Sequence, residues 1–241
     1  MSKIIVIIPA YNAEKTIGRT IERIPKEFTE IIVIDDKSKD KTIEEAKKYP
    51  VSIIEHPVNH GYGGAQKTAY TIALSRNADI VVMVHADGQY PPEKLGEIIK
   101  PIVDGEADVV LASRALGGGM LEGGMPVVRY LGNKGLTFLE NFILRMNVSE
   151  YHTGYRAYSR KFLSTVPFWL NSEKFEFDSE ILIQAKVNRF KIAEIGIPTR
   201  YGDEVSNLNN VSYGVRILRV LGEYILHKVY IKRYLKFEVK Q

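Results

Sequence analysis

Five short runs of isoleucine and valine constrain this chain more than any other feature. Ile4–Pro9, Ile31–Asp35, Val51–Glu55, Ile80–Val84 and Asp108–Leu111 are apolar at nearly every position, and longer stretches of helical period separate them. A strand with one wet face alternates apolar and polar residues. A run without alternation must be covered on both faces, as the parallel strands of an α/β sheet are. Helices are predicted over Glu14–Ile24, Lys41–Tyr49, Gly64–Ser75 and Pro92–Val103, the last opening on prolines suited to a first turn. The expected class is α/β, a mostly parallel sheet with helices on both faces.

Beyond Arg114 the pattern changes to a glycine-rich stretch, Gly117–Gly119 with Gly123 and Gly124, and then to a long amphipathic segment, Pro126–Met146. Its polar positions Arg129, Asn133, Thr137 and Asn141 recur every fourth residue and share one helical face. A strand (Tyr155–Ser159), a helix (Asp178–Asn188) and a strand (Lys191–Pro198) follow. The last predicted helix, Ser212 to about Tyr234, carries Leu218, Leu221 and Ile225 on one stripe and Arg216, Arg219, Glu223 and His227 on another. Residues 211–241 hold seven Lys/Arg against two Glu, so they carry more than the whole chain's net charge of +4. Residues 1–210 are expected to form one domain. Residues 211–241 are expected to form a basic amphipathic C-terminal helix and tail, either part of that domain or a membrane or homodimer contact.

The chain has no cysteine, which excludes disulfides, a thiolate nucleophile and zinc–thiolate sites; any metal must be held by oxygen or imidazole. No stretch approaches 18 uncharged apolar residues, and Met1-Ser2-Lys3 runs straight into a strand pattern without the flanks of a signal peptide. A cytoplasmic protein is expected, at most peripheral on the cytoplasmic membrane face, with no nucleic-acid partner.

In open parallel sheets ligands bind beyond the carboxyl ends of the strands. There the sequence places Pro9-Ala10-Tyr11-Asn12, Asp35-Asp36, Glu55-His56, His85-Ala86-Asp87 and Ser113-Arg114. Asp35 or Asp36 can accept hydrogen bonds from a nucleobase N–H or ribose hydroxyls, or Asp36 can simply cap the next helix. Asp87 can bind a divalent cation with Gln89 in support, or serve as the turn residue before the Pro91-Pro92 helix. Asn59–Ala65 is glycine-rich and opens a helix, so its N–H groups could face phosphate oxygens; it is neither a dinucleotide fingerprint nor a P-loop.

Together these segments resemble the family 2 inverting glycosyltransferases, most closely the dolichol-phosphate mannose synthase-like branch. The resemblance rests on Ile7–Glu14, Ile32–Thr42, Asn59–Ala65, Ala86–Glu93 and Thr153–Arg160 in that order. It implies a GT-A, Rossmann-like fold and a nucleotide-sugar donor (UDP- or GDP-linked) near Pro9, Tyr11, Glu14, Asp35, Asp36 and Asp87. It also implies Mn²⁺ or Mg²⁺ at Asp87 and Gln89, and a lipid phosphate acceptor near Ser113, Arg114, Arg129 and Arg200. The chain departs from the branch where His85 stands in place of the first aspartate of Asp-x-Asp. Imidazole is a poor ligand for Mg²⁺ and a better one for Mn²⁺, so His85 either joins the metal or supports a group that does.

The reading that follows is an inverting transfer of sugar to a polyprenyl or dolichyl phosphate, with Asp87 catalytic through the metal. Asp178 has two readings, N-cap of its helix or general base. A base is needed if the acceptor is the hydroxyl of a soluble glycan, small molecule or protein, and is not needed for a phosphate, which is already an anion. A nucleotide-sugar-binding regulator without turnover, its metal ligand lost at His85, is the non-enzymatic alternative.

Overall fold

The computed structural model describes residues 2–28, 30–118, 120–121, 123–198 and 210–239. Among them, one seven-stranded sheet contains β1 (Ile4–Ala10), β2 (Ile31–Asp35), β3 (Ser52–Glu55), β4 (Ile80–Met83), β5 (Val109–Ser113), β6 (Arg156–Ser159) and β7 (Ile192–Gly196). Their spatial order is β3-β2-β1-β4-β6-β5-β7. The helices are α1 (Ile17–Glu22), α2 (Thr42–Ala46), α3 (Gly61–Ser75), α4 (Leu95–Val103), α5 (Arg114–Gly117), α6 (Val127–Leu144), α7 (Arg160–Thr165), α8 (Phe177–Val187) and α9 (Asn210–Lys228). This is the mostly parallel α/β sheet expected, of GT-A type. The order turns back between β1 and β4, which opens a crevice at their carboxyl ends.

The unbroken apolar runs are explained by two cores. Ile5 and Ile7 of β1 pack with Ala69 and Tyr70 of α3 and Ile181 of α8. Val6 and Ile8, one pleat over, pack with Ile17 and Ile21 of α1 and Leu95 and Ile98 of α4. Each fully buried aliphatic side chain contributes about 1.5–3 kcal/mol, so a polar substitution at these positions of β1 is costly.

Helix α1 begins three residues later than the periodicity predicts. The β1–α1 loop is pinned to the β2–α2 loop: Ala13 N–H donates to Thr42 Oγ1 at 2.7 Å and Glu14 N–H to Asp40 Oδ2 at 3.1 Å. Strand β6 runs antiparallel between β4 and β5, with Met83 opposite Arg156. A reversed strand begins at the edge where its neighbours end, so Thr153 and Gly154 arrive beside the carboxyl end of β4.

Helices α6 and α9 pack on one another. The interior face of α9 is Tyr213, Ile217, Val220, Leu221 and Tyr224. The predicted Leu218–Leu221–Ile225 stripe is therefore divided, with Leu221 in the core and Leu218 and Ile225 exposed. Past α9, Phe237 is fully buried and Lys236 bridges Glu180 (2.6 Å) and Glu223 (2.7 Å), which ties the end of the described chain to α8 and α9.

Candidate active site

The crevice has a left wall made by the loops after β1 and β2. Asn12, in the left-handed region at φ 52°, receives Lys39 N–H on Oδ1 (2.8 Å) and gives its own N–H to Ser38 Oγ (2.9 Å). Glu14 accepts Lys41 N–H at 3.1 Å, so its carboxylate holds the two loops together. Pro9 is half-buried at the end of β1, and Tyr11 stands exposed at the rim.

The adjacent aspartates differ sharply. Asp36 is spent on structure: its Oδ1 accepts from His60 N–H (2.8 Å) and His56 Nδ1 (2.8 Å), and its Oδ2 from Gly61 N–H (2.8 Å). It therefore caps α3 and not the helix that follows it in sequence. Asp35 is equally buried, but only its Oδ2 is used, by Ser38 N–H at 2.9 Å; its Oδ1 has no hydrogen-bond partner.

The glycine-rich start of α3 does not present its N–H groups to a phosphate. Gly63 N–H and Gly64 N–H point at Glu173 O (2.9 and 3.4 Å), while those of His60 and Gly61 go to Asp36. The glycines allow close docking of residues 172–174: a Cβ on Gly63 would lie 2.3 Å from Ser172 O, and one on Gly61 2.6 Å from Glu173 O. That docking brings the following helix, α8, against Tyr62, which stacks on Phe175 with ring centres 4.7 Å apart.

The right wall is the end of β4. Asp87 and Gly88 (φ 72°) form a turn in which Asp87 Oδ1 accepts Gln89 N–H at 3.0 Å, and Asp87 and Gln89 are both partly exposed to the crevice. Burial alone would push the Asp87 carboxyl up, but His85, the Gln89 N–H and the charge of Arg114 together hold it below the usual carboxylate range. His85 lies across Gly154, where a Cβ would fall 2.0 Å from its Nε2. Its Nε2 is 3.0 Å from Tyr62 Oη and its Nδ1 is 3.7 Å from Asp87 Oδ2.

Asp178 lies behind this wall in the first turn of α8. It is buried, and it accepts from Tyr62 Oη (2.9 Å) and Gln66 Nε2 (3.2 Å). The guanidinium of Arg156, fully buried, is 3.7 Å from its Oδ2 and donates to the carbonyls of Tyr151 (2.7 Å), Thr153 (2.7 Å) and Asp178 (2.9 Å).

Two of the expected acceptor residues, Ser113 and Arg114, are engaged within the fold. Ser113 is buried, bonded to Ser149 Oγ at 2.6 Å and capping α5. Arg114 is buried against Glu150, with Nε to Oε1 at 2.8 Å, N–H to Oε2 at 2.8 Å and a further contact from its Nη2. Arg129 stands half-buried in the first turn of α6, and Arg200 lies outside the described residues. Tyr62, Gln66, Glu150 and Arg156 are parts of this wall that sequence reasoning missed. Tyr62 and Arg156 sit inside segments already recognised, but their partners are 116 and 22 residues away. No local spacing reports such pairings.

Residues 5–166 match the model of Glycosyl transferase family 2. Over 230 residues the chain is 35% identical to an uncharacterized protein of Methanocaldococcus jannaschii, covering 95% of this chain and 93% of that one. It is 33% identical to a UDP-N-acetylglucosamine–dolichyl-phosphate N-acetylglucosaminyltransferase of Methanococcus voltae, over 89% of this chain and 92% of the other. Among solved structures, glucosyl-3-phosphoglycerate synthase of Mycobacterium tuberculosis, in complex with Mn²⁺, UDP-glucose and phosphoglyceric acid, superposes with a TM-score of 0.73. That match has 21% identity and covers 92% of this chain and 79% of that one, a likeness of fold.

Proposed function

The chain belongs to glycosyl transferase family 2, and from that premise we propose that it transfers a sugar, with inversion, from a nucleotide-sugar to a polyprenyl phosphate at a membrane surface. The observation that carries the acceptor is the orientation of α6. Thr137, Glu140 and Leu144 are its buried residues, while Val128 (82% exposed), Leu131 (62%), Phe138 (73%) and Phe142 (75%) face outward. Leu136, Leu139 and Ile143 pack inward beside Thr137, Glu140 and Leu144, so the inner face is mixed, and a helix that leaves so many large apolar side chains outward has the apolar face of an interfacial helix. Its inner face is part of the site wall, since Glu140 accepts from Ser179 Oγ at 2.6 Å, one residue from Asp178. A lipid acceptor would thus reach the crevice where α6 meets the bilayer. The acceptor of the Methanococcus voltae relative, dolichyl phosphate by its name, supports the same class.

The committed state of Asp178 supports an acceptor that needs no base. Both of its oxygens are occupied in a buried network, whereas a phosphate oxygen attacks the anomeric carbon as an anion. On the donor side, Asp35 Oδ1 takes a nucleobase N–H or ribose hydroxyl, which removes the cost of a buried oxygen without a partner. Tyr11 borders the base, and Pro9 and Glu14 shape the loops around it.

The residues at the end of β4 fit a divalent cation such as the Mn²⁺ of the structural neighbour. Asp87 is held ionised and faces the crevice, with Gln89 and His85 beside it. Among the described residues no group of three or more His, Asp or Glu could hold a metal unaided, so diphosphate oxygens would complete the shell. When bound, the metal supplies neutralisation of charge on the departing nucleoside diphosphate. The chain's own contribution is positioning: the two loops orient the nucleotide, and the wall at Tyr62, His85 and Asp178 closes the far side.

The test separates bilayer delivery from chemistry. Phe138→Asp with Phe142→Asp should cut transfer to a long-chain polyprenyl phosphate in vesicles by at least tenfold and leave transfer to a short-chain one in solution nearly unchanged. Equal losses with both acceptors, or none with either, would count against the proposal.

A further inference from the structure

Resting on the membrane-surface reading above, we infer that the hollow where α6 and α8 end is a second lipid site. Arg145, Lys186 and Arg189 hold there the phosphodiester headgroup of an anionic membrane lipid that is neither donor nor acceptor, and so fix how α6 lies on the bilayer.

The hollow is a cavity of about 340 Å³ beside the start of β7, at the edge of the sheet opposite the crevice. Two helix ends bring its three cations together. Lys186 Nζ donates to Arg145 O at 3.3 Å, which joins the end of α8 to the end of α6. Among the described residues no carboxylate pairs with the guanidinium of Arg145 or of Arg189. The carboxylate that does line the hollow, Glu194, is committed to Ser149, accepting from its N–H at 3.0 and 2.9 Å and from its Oγ at 2.6 Å. Two helix C-termini contribute about half a negative charge each and Glu194 one more, so the three cations leave about one positive charge. One phosphodiester neutralises it, and guanidinium forks suit its oxygens.

Both arginines stand where arginine is a poor choice of residue. Each closes a helix end in the left-handed region, Arg145 at φ 52° and Arg189 at φ 58°, where glycine or asparagine is usual and a Cβ is crowded. A residue set against its backbone preference at the lip of a cavity points to its side chain as the reason.

The occupant is read from what adjoins the cations. Phe138, Phe142 and Arg145 follow one another at i, i+4 and i+7, so the exposed apolar stripe of α6 runs directly into the hollow. Met146, Phe190 and Ile192 line it beneath the charges. A headgroup with its glycerol and first methylenes uses both kinds of surface, whereas inorganic phosphate would use only the cations. A bound headgroup at this end of α6 would hold Phe138 and Phe142 toward the acyl chains.

The experiment sediments the full chain with vesicles of phosphatidylcholine alone and of phosphatidylcholine with phosphatidylglycerol. The wild type should prefer the anionic vesicles, and Arg145→Gly with Arg189→Gly should lower that preference by about tenfold or more, at about fivefold per cation near the surface. Glycine suits both left-handed positions, so this variant should melt no lower than the wild type. Lys26→Ala with Lys47→Ala removes the same charge from exposed residues elsewhere and should keep the preference. Equal losses in the two double variants, or none in the arginine pair, would overturn the inference and leave the membrane-surface reading standing. Calorimetric binding of glycerophosphate through these arginines, with no preference for anionic vesicles, would also overturn it and make the occupant a soluble phosphate. A wild type that binds neither kind of vesicle would defeat the membrane-surface reading itself, and the inference with it.

Discussion

Asp35 and Asp36 share a strand end, a charge and nearly the same burial, yet their roles separate once their partners are counted. Asp36 is surrounded by donors from α3 and from His56, whereas Asp35 has one oxygen to spare. Asp36→Ala is expected to destabilise the fold by on the order of 3 kcal/mol, because it strands buried donors. Asp35→Ala should leave the melting temperature nearly unchanged and weaken nucleotide-sugar binding by about 1–3 kcal/mol. Calorimetric titration and thermal melts on the two variants check this; a destabilised Asp35→Ala that binds donor normally would reverse the assignment. In the sequence the pair was legible as a donor-site candidate, but which aspartate was free was not. The donors that consume Asp36 come from residues 56–61, and only the fold brings them there. Arg114 shows the same limit: an arginine at a strand end suits a phosphate, and only the fold shows that Glu150, 36 residues on, is its partner.

At the scale of elements, strands were easier to read than helix faces. Doubly covered strands leave unbroken apolar runs, so β1, β2 and β4 begin at the predicted residue and β3, β5, β6 and β7 one residue after it. Direction is invisible in a four-residue strand, which is why antiparallel β6 could not be foreseen as such. Periodicity divides a helix into two faces without saying which is inward. In α6 Thr137 and Glu140 turn in beside Leu136, Leu139, Ile143 and Leu144, because a buried polar cluster receives them. Glu140 Oε2 there faces His152 Nε2 at 3.3 Å, and His152 Nδ1 meets Tyr213 Oη of α9 at 2.8 Å. Burial pushes the Glu140 carboxyl from 4.5 up to about 8, against the pull of the Ser179 hydroxyl and the Arg156 charge. Burial, with Arg114 and Arg156, pushes His152 from 6.5 down to about 3. The folded state thus keeps Glu140 protonated, a contribution fully present below 4.5 and lost as pH rises through 8; it keeps His152 neutral, a contribution present above 6.5 and lost as pH falls through 3. Stability from this pair should be level between 4.5 and 6.5 and decline on either side. Glu140→Gln should abolish the alkaline decline and leave the acid one, as read by thermal melts across pH; an unchanged alkaline limb would contradict it.

For the whole molecule, the proposed function joins the carboxyl edge of the sheet, the outward apolar face of α6 and the basic C-terminal segment in one enzyme that would work against a membrane. Among the described residues no helix is long and apolar enough to cross a bilayer. Surface contact would then rest on Val128, Leu131, Phe138 and Phe142, with Lys and Arg of the C-terminal segment drawn to anionic lipid by about 1 kcal/mol per residue near the surface. The central claim is that the acceptor is a lipid phosphate, and one competition tests it most directly. The wild-type protein, with Mn²⁺ and a panel of UDP- and GDP-sugars, is offered a short-chain polyprenyl phosphate, the matching polyprenol and a water-soluble hydroxyl acceptor, and the glycosylated products are quantified. The phosphate should be glycosylated at least a hundredfold faster than either alcohol, with Asp178→Asn retaining activity if it folds; efficient transfer to a hydroxyl acceptor that is lost in a folded Asp178→Asn protein would contradict the account.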